Sequence, residues 1–493
     1  MTSTRPFRLL RAEMRDQVDV DVDVDVDVDV APRAGEGSWT TLVTGRNGSG
    51  KSRLLSGIAG AFDALDGRYL RNRQPIAVEY RLGELECAFQ VDGKKVTAFL
   101  DGKRVEAERL PRPGAVVAAT ASAFDKFHLP RKAPLFGPNR TESSYRYLGL
   151  KDERGRVSAR AGIFRALERL FDASDEEQLR RQRVSDVFRY LGYSPTVEVT
   201  YAWTYRGKEL AEEAGADSTR AVERYLDDAK SRGDGAARAS VPDYLFQVPR
   251  ELAASVDVLR GFSEGREVRL TADFRKQSSR GEEQLRMATQ LARAGILQMS
   301  EVTLWQESPS RRVEITDASS GQLSFLVTLL GIASSIEDGS LILIDEPEIS
   351  LHPRWQSEYL GRLTEAFSAF QGCHFILATH SPTLVAGAGP ELTNIVDLER
   401  PAAAKRTPSP GRSVDEVLFS TFGVVTKNSL HLRDLLVAAL RGAEDGELAL
   451  ASYDEEMAAL QAARPDLPLG DPAGELIDRL VRIRTQLAER SSS

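Results

Sequence analysis

The stretch WTTLVTGRNGSGKSRLLSGIAGAF, from Trp39 to Phe62, decides the fold of this 493-residue chain. Trp39 to Thr44 is apolar and β-rich and predicts a buried strand, and the apolar residues after Ser52 recur at helical spacing. The turn between them fits G-x-x-x-x-G-K-[ST] at every fixed position. Glycines in such a turn let backbone N–H groups point at phosphate oxygens, and the next helix directs its positive N-terminus at the same anion. The candidate phosphate-binding residues are Gly45, Arg46, Asn47, Gly48, Ser49, Gly50, Lys51 and Ser52.

The last two residues of this turn carry its chemistry. Lys51 is placed to neutralise the β- and γ-phosphates of a nucleotide, and the Ser52 hydroxyl is placed to bind Mg²⁺. A glycine turn arising by chance is the competing interpretation, which the flanking strand and helix disfavour.

A second segment, SLILIDEPEISLHPRWQ from Ser340, ends a buried strand in two acids. Leu341 to Ile344 is a continuous apolar run, typical of a parallel strand covered on both faces. Acids at the carboxyl end of such a strand lie where open sheets bind ligands. We predict that Asp345 holds Mg²⁺ through water and that Glu346 is the general base for an attacking water. The alternative is that the two acids cap the next helix.

Two further segments lie in the same half of the chain. CHFILATHSP, from Cys373 to Pro382, predicts another apolar strand that ends near His380, which we interpret as a contact to the γ-phosphate rather than a structural histidine. The other histidines show no metal-binding spacing. Ser319-Ser320-Gly321-Gln322 is predicted to open an amphipathic helix and to form an anion site, with a plain helix cap as the alternative.

Together these segments resemble the ATP-binding-cassette ATPase superfamily. GRNGSGKS is similar to its Walker A, ASSGQ to its signature motif, LILIDEPE to its Walker B with the catalytic glutamate, SLHP (Ser350 to Pro353) to its D-loop, and His380 to its switch histidine. The motifs are closer to the SMC/RecF-like and OLD-like group of prokaryotic AAA-type ATPases, found in DNA repair and anti-phage defence, than to transporters. The resemblance covers Phe7 to Thr120 and Val313 to Leu398. Ser320 stands where transporters usually have the first glycine of the signature motif, and SMC-like groups often have a serine at this position.

This resemblance implies an α/β P-loop NTPase with an ABC-type head, namely a mixed central sheet beside an antiparallel β-subdomain. It implies ATP and Mg²⁺ as cofactors. It assigns catalysis to Glu346, His380 and Lys51, metal binding to Ser52 and Asp345, and nucleotide contacts beyond the Walker A turn to Ser319, Gly321 and Gln322. Signature residues of one copy would face Lys51 of another, so the resemblance implies a head-to-tail homodimer, or a higher homo-oligomer, around ATP. The family's Q-loop has no firm match: Ser122, Asp125 and Gln90 are competing candidates.

The chain is predicted to have four parts: a first ATPase lobe over 1–125, a mainly helical insertion over 126–300, a second ATPase lobe over 301–400, and a linker with a helical tail over 401–493. Alternation from Ile76 to Leu110, with Asp-Gly pairs in VDGKKV and LDGKRV, predicts β-hairpins. Helices are predicted over Ala159 to Tyr193, Thr219 to Lys230 and Glu282 to Leu297, without the heptads of a long coiled coil. In the tail, Ser413 is a predicted helix cap.

Composition limits the class of protein. The net charge of −8 argues against a generally basic surface. Cys87 and Cys373 are too few and too distant for a disulfide framework or a zinc site. The N-terminal residues lack the apolar core of a signal peptide, and the longest apolar run, Leu323 to Ile336, is too short to span a membrane, so we expect a cytoplasmic protein without a membrane partner.

The insertion leaves partners open. Lys132, Arg140, Arg180, Arg181 and Arg183 suggest nucleic-acid binding, but acids interleave with them and favour a solvated face, and a partner protein fits equally well. No nuclease motif is found, so an effector such as a nuclease or toxin would be a separate protein. The leading hypothesis is an ATPase that acts as motor, sensor or gate for this effector; the alternatives are an ATP-dependent scaffold with little turnover and the ATP-binding subunit of a transporter.

The repeat VDVDVDVDVDVDV, from Val18 to Val30, is conspicuous but is predicted to carry no chemistry. Strict alternation puts the valines on one face and the aspartates on the other, as in an exposed strand or hairpin arm of the β-subdomain. The run lacks the glycines that turn calcium-binding repeats around their ion.

Overall fold

The computed structural model describes residues 5–14, 37–68, 74–122, 124–129, 144–151, 177–231, 241, 243–275, 280–307, 311–315, 320–389, 393–398, 413–422, 424–425, 429–448, 450–467 and 470–491. The repeat from Val18 to Val30, Ser319, Lys132 and Arg140 lie outside these ranges, and the side chains of Arg180, Arg181 and Arg183 are not described either.

The strands are β1 Phe7–Met14, β2 Trp39–Thr44, β3 Ile76–Leu82, β4 Leu85–Asp92, β5 Lys95–Leu100, β6 Lys103–Val105, β7 Val116–Thr120, β8 Tyr145–Leu148, β9 Tyr193–Trp203, β10 Ser263–Glu264, β11 Glu267–Asp273, β12 Leu297–Gln306, β13 Arg311–Glu314, β14 Leu341–Asp345, β15 His374–Ala378 and β16 Thr393–Asp397. The helices are α1 Lys51–Leu65, α2 Glu177–Tyr190, α3 Tyr205–Ser231, α4 Pro249–Arg260, α5 Arg280–Arg293, α6 Ser320–Ser335, α7 Pro353–Ala366, α8 Pro382–Ala386, α9 Val414–Ser420, α10 Leu430–Glu444, α11 Asp454–Ala463 and α12 Pro472–Ser491.

The central sheet has six strands in the order β16-β2-β15-β14-β7-β8. Every neighbouring pair among these strands is parallel, so the predicted α/β P-loop fold is confirmed, whereas the expected mixture of strand directions is not observed among the strands that the structure describes. Every residue of the inner strands β14 and β15 is buried, which explains why both strands have continuous apolar sequences.

A five-stranded antiparallel sheet, β1-β3-β4-β5-β6, forms the β-subdomain. Its hairpins turn at both predicted Asp-Gly pairs: Asp92 pairs with Lys95 across Gly93, and Leu100 pairs with Lys103 across Asp101 and Gly102. Asp101 and Gly102 both have positive φ, as a two-residue turn of this kind requires. Helix α1 is buried along most of its length and packs on the central sheet and on β1, β3 and β4.

The insertion differs from the mainly helical prediction, because it contains a second antiparallel sheet with the order β10-β11-β9-β12-β13. In β9 the residues Val197, Val199, Tyr201 and Trp203 are buried, and helices α2, α3 and α5 pack against strands of this sheet. Strand β12 crosses the predicted boundary at residue 300, so this sheet is completed by β13 in the predicted second ATPase lobe.

Several helix predictions need adjustment. The segment Thr219 to Lys230 lies in α3, which begins earlier, at Tyr205, and has non-helical backbone at Asp217. The Asp217 carboxylate accepts a hydrogen bond from the Arg220 N–H at 3.1 Å and so caps the second half of α3. Helix α5 ends at Arg293, before the predicted Leu297, because Gly295 takes a positive φ of 74° and turns the chain into β12.

The tail forms a small helical core of its own around Leu436, Met457, Leu460 and Leu480. The predicted cap is confirmed: the Ser413 side chain accepts a hydrogen bond from the Glu416 N–H. Within the described ranges, no helix is both long enough and apolar enough to cross a membrane. Cys87 and Cys373 are buried, unpaired thiols.

Candidate functional site

Three strand ends bring the predicted site residues to one edge of the central sheet. Strand β15 lies between β2 and β14, and Ala378 is in register with Val43 on one side and with Asp345 on the other. Parallel strands end at the same edge, so the turn after β2, the acids after β14 and His380 after β15 meet there.

The Walker A turn has the backbone that its glycines predict. Gly45, Gly48 and Gly50 have φ values of 142°, 88° and 101°. A Cβ atom on Gly45 would lie 2.7 Å from the Ser49 Oγ, whereas one on Gly48 would meet nothing within 4 Å. Gly50 is the left-handed N-cap of α1 and supplies no side-chain cap, so the first N–H groups of α1 remain directed at the turn, as an anion site needs.

Lys51 is only 3% exposed. Its ammonium donates hydrogen bonds to the carbonyl oxygens of Gly45 at 2.8 Å and Arg46 at 3.0 Å, so it lies against the phosphate-binding turn. It also lies 3.2 Å from the His380 Nδ1. An ammonium only donates, so Nδ1 accepts and the His380 ring is neutral with its proton on Nε2.

Ser52 and Asp345 lie together as predicted: the Ser52 hydroxyl donates to the Asp345 carboxylate at 3.0 Å. Asp345 is 2% exposed. Burial raises the pKa of Asp345 to about 7, the Ser52 hydrogen bond opposes this shift, and the charges of Glu346, Asp125 and Glu348 add to it. These oxygen donors and the surrounding negative charge fit Mg²⁺. The described residues contain no cluster of three or more His, Cys, Asp or Glu side chains for a metal, so phosphate oxygens and water would have to complete the coordination.

Glu346 and His380 face each other at the sheet edge, with 3.9 Å between the carboxylate and Nε2. Glu346 has an unusual φ of 51°, and its N–H donates to the Ala378 carbonyl at 2.9 Å, which fixes this backbone turn. Burial, with the neighbouring Lys51 charge, lowers the pKa of His380, and the Glu346 charge opposes this shift. The arrangement holds a neutral imidazole N–H beside a carboxylate.

The structure describes only part of the predicted signature motif, whereas the predicted D-loop is described in full. Helix α6 begins at Ser320, so Gly321 and Gln322 lie in its first turn. Its residues from Thr328 to Ser335 are all buried, so this part of the helix lacks the exposed face that the prediction expected, because α6 packs against β7, β8 and α2. In the D-loop segment, Ser350 has a φ of 65° and His352 is a cap that accepts from the Arg354 N–H at 3.3 Å.

The Q-loop candidates differ in position. Ser122 and Asp125 are buried and follow β7, the neighbour of β14, and the charge of Asp125 acts on Asp345. Asp125 is bound by Lys151 at 3.0 Å and by the Tyr147 hydroxyl at 3.0 Å. Gln90 is exposed on β4 in the β-subdomain. The positions favour Asp125 or Ser122.

Sequence reasoning missed Glu348. This carboxylate accepts the backbone N–H of His380 at 2.6 Å and a hydrogen bond from the Thr379 side chain. The partner of Glu348 is a backbone group 32 residues away in sequence, so no pattern of side chains predicts this contact. The only signal is its position two residues after Glu346.

The fold defines the class of protein: a P-loop NTPase fold in which the phosphate-binding turn, the acid pair and the histidine lie at the edge of a parallel sheet. Comparison with protein families agrees. Residues 205–386 match the family model described as "AAA domain, putative AbiEii toxin, Type IV TA system", a range that includes Asp345, Glu346 and His380 but not the Walker A turn.

Two curated proteins are similar over short stretches. Protein ea59 of Escherichia phage lambda is 39% identical over 67 residues, 14% of this chain and 13% of that protein. The Retron Vc95 probable ATPase of Vibrio cholerae serotype O1 biovar El Tor is 26% identical over 98 residues, 20% of this chain and 18% of that protein. The chain therefore spans less than a fifth of the length of either relative. The family and retron matches agree with the resemblance to prokaryotic AAA-type ATPases.

Solved structures with some likeness include the SMC head domain from Thermotoga maritima, at 11% identity and a TM-score of 0.29 over 73% of this chain and 87% of that one. Another is an Smc head domain from Pyrococcus furiosus, bound to the C-terminal domain of ScpA, at 13% identity and a TM-score of 0.29 over 79% of this chain and 93% of that one. At such TM-scores the fold assignment rests on the chain's own sheet order and strand directions.

Proposed function

We propose that this protein binds ATP with Mg²⁺ and hydrolyses it. The observation that carries the proposal is the meeting of Lys51, the Ser52–Asp345 pair and the Glu346–His380 pair at the ends of three adjacent parallel strands. The similarity to AAA-type ATPases supports it.

Each side chain has a role that its contacts prepare. The Lys51 ammonium would exchange the Gly45 and Arg46 carbonyls for phosphate oxygens. Glu346 would accept a proton from the water whose oxygen attacks the γ-phosphorus, while the bond to the β-phosphate oxygen breaks and ADP leaves. The neutral His380 would donate its Nε2 proton in a hydrogen bond to the γ-phosphate. Mg²⁺ bound at Ser52 and Asp345 would offset the charge that develops on the phosphates.

ATP turnover by the full chain tests this function. Wild type should release phosphate in a Mg²⁺-dependent reaction, and Glu346→Gln should reduce release by on the order of 100-fold or more while ATP still binds, because the amide cannot accept the proton. Lys51→Ala should lose binding itself. Glu358→Gln is the matched control, since Glu358 is a half-buried carboxylate on α7 that pairs with Arg354 and Arg362. Turnover by wild type no faster than by Glu346→Gln would reject hydrolysis and favour an ATP-dependent scaffold.

We further propose that two copies assemble head-to-tail around ATP and that this assembly gates a separate effector, in anti-phage defence or DNA repair. The similarity to the Retron Vc95 probable ATPase and to the family model described as a type IV TA system supports the defence role. Mass measurement in solution with and without ATP, using Glu346→Gln, tests assembly. Adding duplex DNA, single strands or tRNA to the turnover assay tests whether nucleic acid is a ligand.

A further inference from the structure

One buried carboxylate, that of Glu348, binds the backbone of the loop that carries His380. Glu348 lies on the loop after β14, and its Oε1 accepts the His380 backbone N–H at 2.6 Å. The Thr379 side chain also donates to Glu348, and Thr379 is completely buried. A backbone N–H bound to a carboxylate is a strong type of hydrogen bond, so the two loops are tied at this point.

The hydrogen bond between Glu348 and the His380 N–H lies next to the side chains of Glu346, His380 and Lys51 but does not involve them. Glu346, two residues before Glu348, faces the His380 ring at 3.9 Å, and the ring in turn lies 3.2 Å from Lys51. Both loops have little freedom elsewhere: the Glu346 N–H is bound to Ala378, and the Thr379 N–H is bound to Val43. The Glu348 contact therefore sets where the His380 backbone stands relative to Glu346.

The other side of the same loop is held by α7. The Ser381 hydroxyl donates to the Gln356 Oε1 at 2.6 Å, and the Gln356 amide donates to the Leu351 carbonyl at 3.0 Å. Both anchors come from the segment that follows Glu346. The difference between them is that Glu348 binds residue 380 itself, whereas Gln356 binds its neighbour.

The burial of the Glu348 carboxylate is energetically unfavourable. Within the described residues, its Oε2 is buried and has no hydrogen-bond partner, and the buried Tyr359 hydroxyl is in the same state. Burial raises the pKa of Glu348, and the hydrogen bonds from His380 and Thr379 oppose this shift. A buried polar atom without a hydrogen-bond partner destabilises a fold, so packing alone does not explain an acid here.

We propose that Glu348 is a positioning residue for ATP hydrolysis, which acts through His380 by fixing its backbone beside Glu346. This inference rests on the proposed function. It assigns Glu348 no contact with nucleotide and no proton transfer, so it differs from Glu346 in what its substitution should do.

Turnover of four variants separates positioning from chemistry. Glu348→Ala should lower kcat by about 10–100-fold with KM changed less than about threefold, since a small misplacement near the reacting atoms has an effect of this size. Glu348→Gln should stay within about threefold of wild type, because its amide oxygen still accepts the His380 N–H. In a His380→Ala background, Glu348→Ala should add less than about a twofold loss, because residues that act as a unit are not additive. A further tenfold loss in that background, or equal damage by Gln and Ala, would overturn the proposal.

A readout without turnover distinguishes failure of this inference from failure of the ATPase function. The chain has only five histidines, so the ring signals of histidine-labelled protein can be resolved by NMR and His380 assigned by its loss in His380→Ala. Glu348→Ala should shift the His380 signal and leave those of His128 and His431 in place. An unmoved His380 signal in a folded Glu348→Ala protein would reject the positioning role even if ATP is hydrolysed. Circular dichroism melting verifies folding, and Glu348→Gln provides the second variant if Ala does not fold.

Discussion

At the scale of single residues, the Ser52–Asp345 contact is the sharpest link between two motifs almost 300 residues apart. Ser52→Ala removes a hydroxyl that is 3.0 Å from the Asp345 carboxylate. We expect Mg²⁺-dependent turnover to fall on the order of 100-fold, the equivalent of about 2.7 kcal/mol of transition-state stabilisation, because a metal-binding oxygen is lost. The measurement is phosphate release across a Mg²⁺ titration.

Ser56→Ala is the matched control for this substitution. Ser56 lies one turn further along α1, and its hydroxyl donates to the Lys126 carbonyl at 2.5 Å rather than to the acid pair. Its Mg²⁺ dependence should equal that of wild type. If both variants lose the same activity, the loss reflects α1 packing and not metal binding.

A second residue-scale prediction concerns His374, which is completely buried in β15. Its Nδ1 accepts the Leu9 N–H at 3.0 Å, so its Nε2 carries the proton and donates to the Thr41 hydroxyl at 2.9 Å. Burial, with the Arg8 charge, lowers the pKa of His374 to about 3. Between its ordinary pKa and about 3, the unfolded chain takes up a proton that the folded chain does not. The free energy of unfolding should therefore fall as pH falls below about 6.5, by up to about 1.4 kcal/mol per pH unit from this group.

Urea unfolding at pH 7, 6 and 5 tests this for wild type and His374→Gln. The variant should lose part of the slope with pH. His352→Asn should keep the wild-type slope, because His352 is an exposed helix cap and Asn also caps helices. Parallel curves for wild type and His374→Gln would show that this ring does not contribute.

The site residues on strand tips could be predicted from the sequence, whereas their supports could not. A fixed motif identifies Lys51 and Ser52, and the two apolar strand sequences predict that Asp345 and His380 lie at the same edge of a parallel sheet. Glu348 and the Asp125–Lys151 pair act through a backbone N–H and a distant lysine, which only the folded chain brings close.

At the scale of elements, the docking of α3 in the insertion depends on one glycine. Gly207 lies in the first turn of α3, where a Cβ atom would be 1.9 Å from the Ile296 carbonyl oxygen. The Thr204 hydroxyl, just before α3, donates to the Gly295 carbonyl at 2.9 Å, so the two segments cannot easily separate. Gly207→Ala should lower the free energy of unfolding by about 1–3 kcal/mol through overpacking, measured by urea denaturation.

Gly361→Ala is the control for glycine replacement in a helix. Gly361 is exposed on α7 and has nothing within 4 Å of its Cβ position. That substitution should be neutral or stabilise by about 0.5–1 kcal/mol, because alanine loses less backbone entropy on folding. A stabilising Gly207→Ala would mean that α3 does not approach Ile296 this closely.

The same elements show why the hairpins of the β-subdomain could be predicted from the sequence and the sheet of the insertion could not. The hairpin turns of the β-subdomain follow from the sequence because an Asp-Gly pair is a local signal. Strand β9 buries Val197, Val199, Tyr201 and Trp203 at the spacing of a strand, but the sequence on both sides of it is charged and has helical spacing, which favours a helical prediction for the insertion. Its partners β11 and β12 follow about 70 and 100 residues later, and such long-range pairing leaves no local signal.

At the scale of the whole molecule, the proposed ATP-sandwich makes each site from two copies. Lys51 and the acids lie at the sheet edge of one chain, and the signature segment that starts α6 would come from the other. Lys51→Ala and Gly321→Asp should therefore each abolish turnover alone. When the two variants are combined in equal amounts, about half of the dimers would contain one copy of each variant. Each such heterodimer has one site without either substitution and one site with both. About a quarter of the number of sites in wild type would therefore be active.

Phosphate release by the mixture, after the two variants have been allowed to exchange partners, measures this complementation. A mixture that stays inactive while differently tagged copies co-purify in the presence of ATP would show that each site is complete within one chain. In that case, the dimer would not be the hydrolysing unit, and the gate for an effector would have to be sought within a single copy, at the loops that Glu348 holds together.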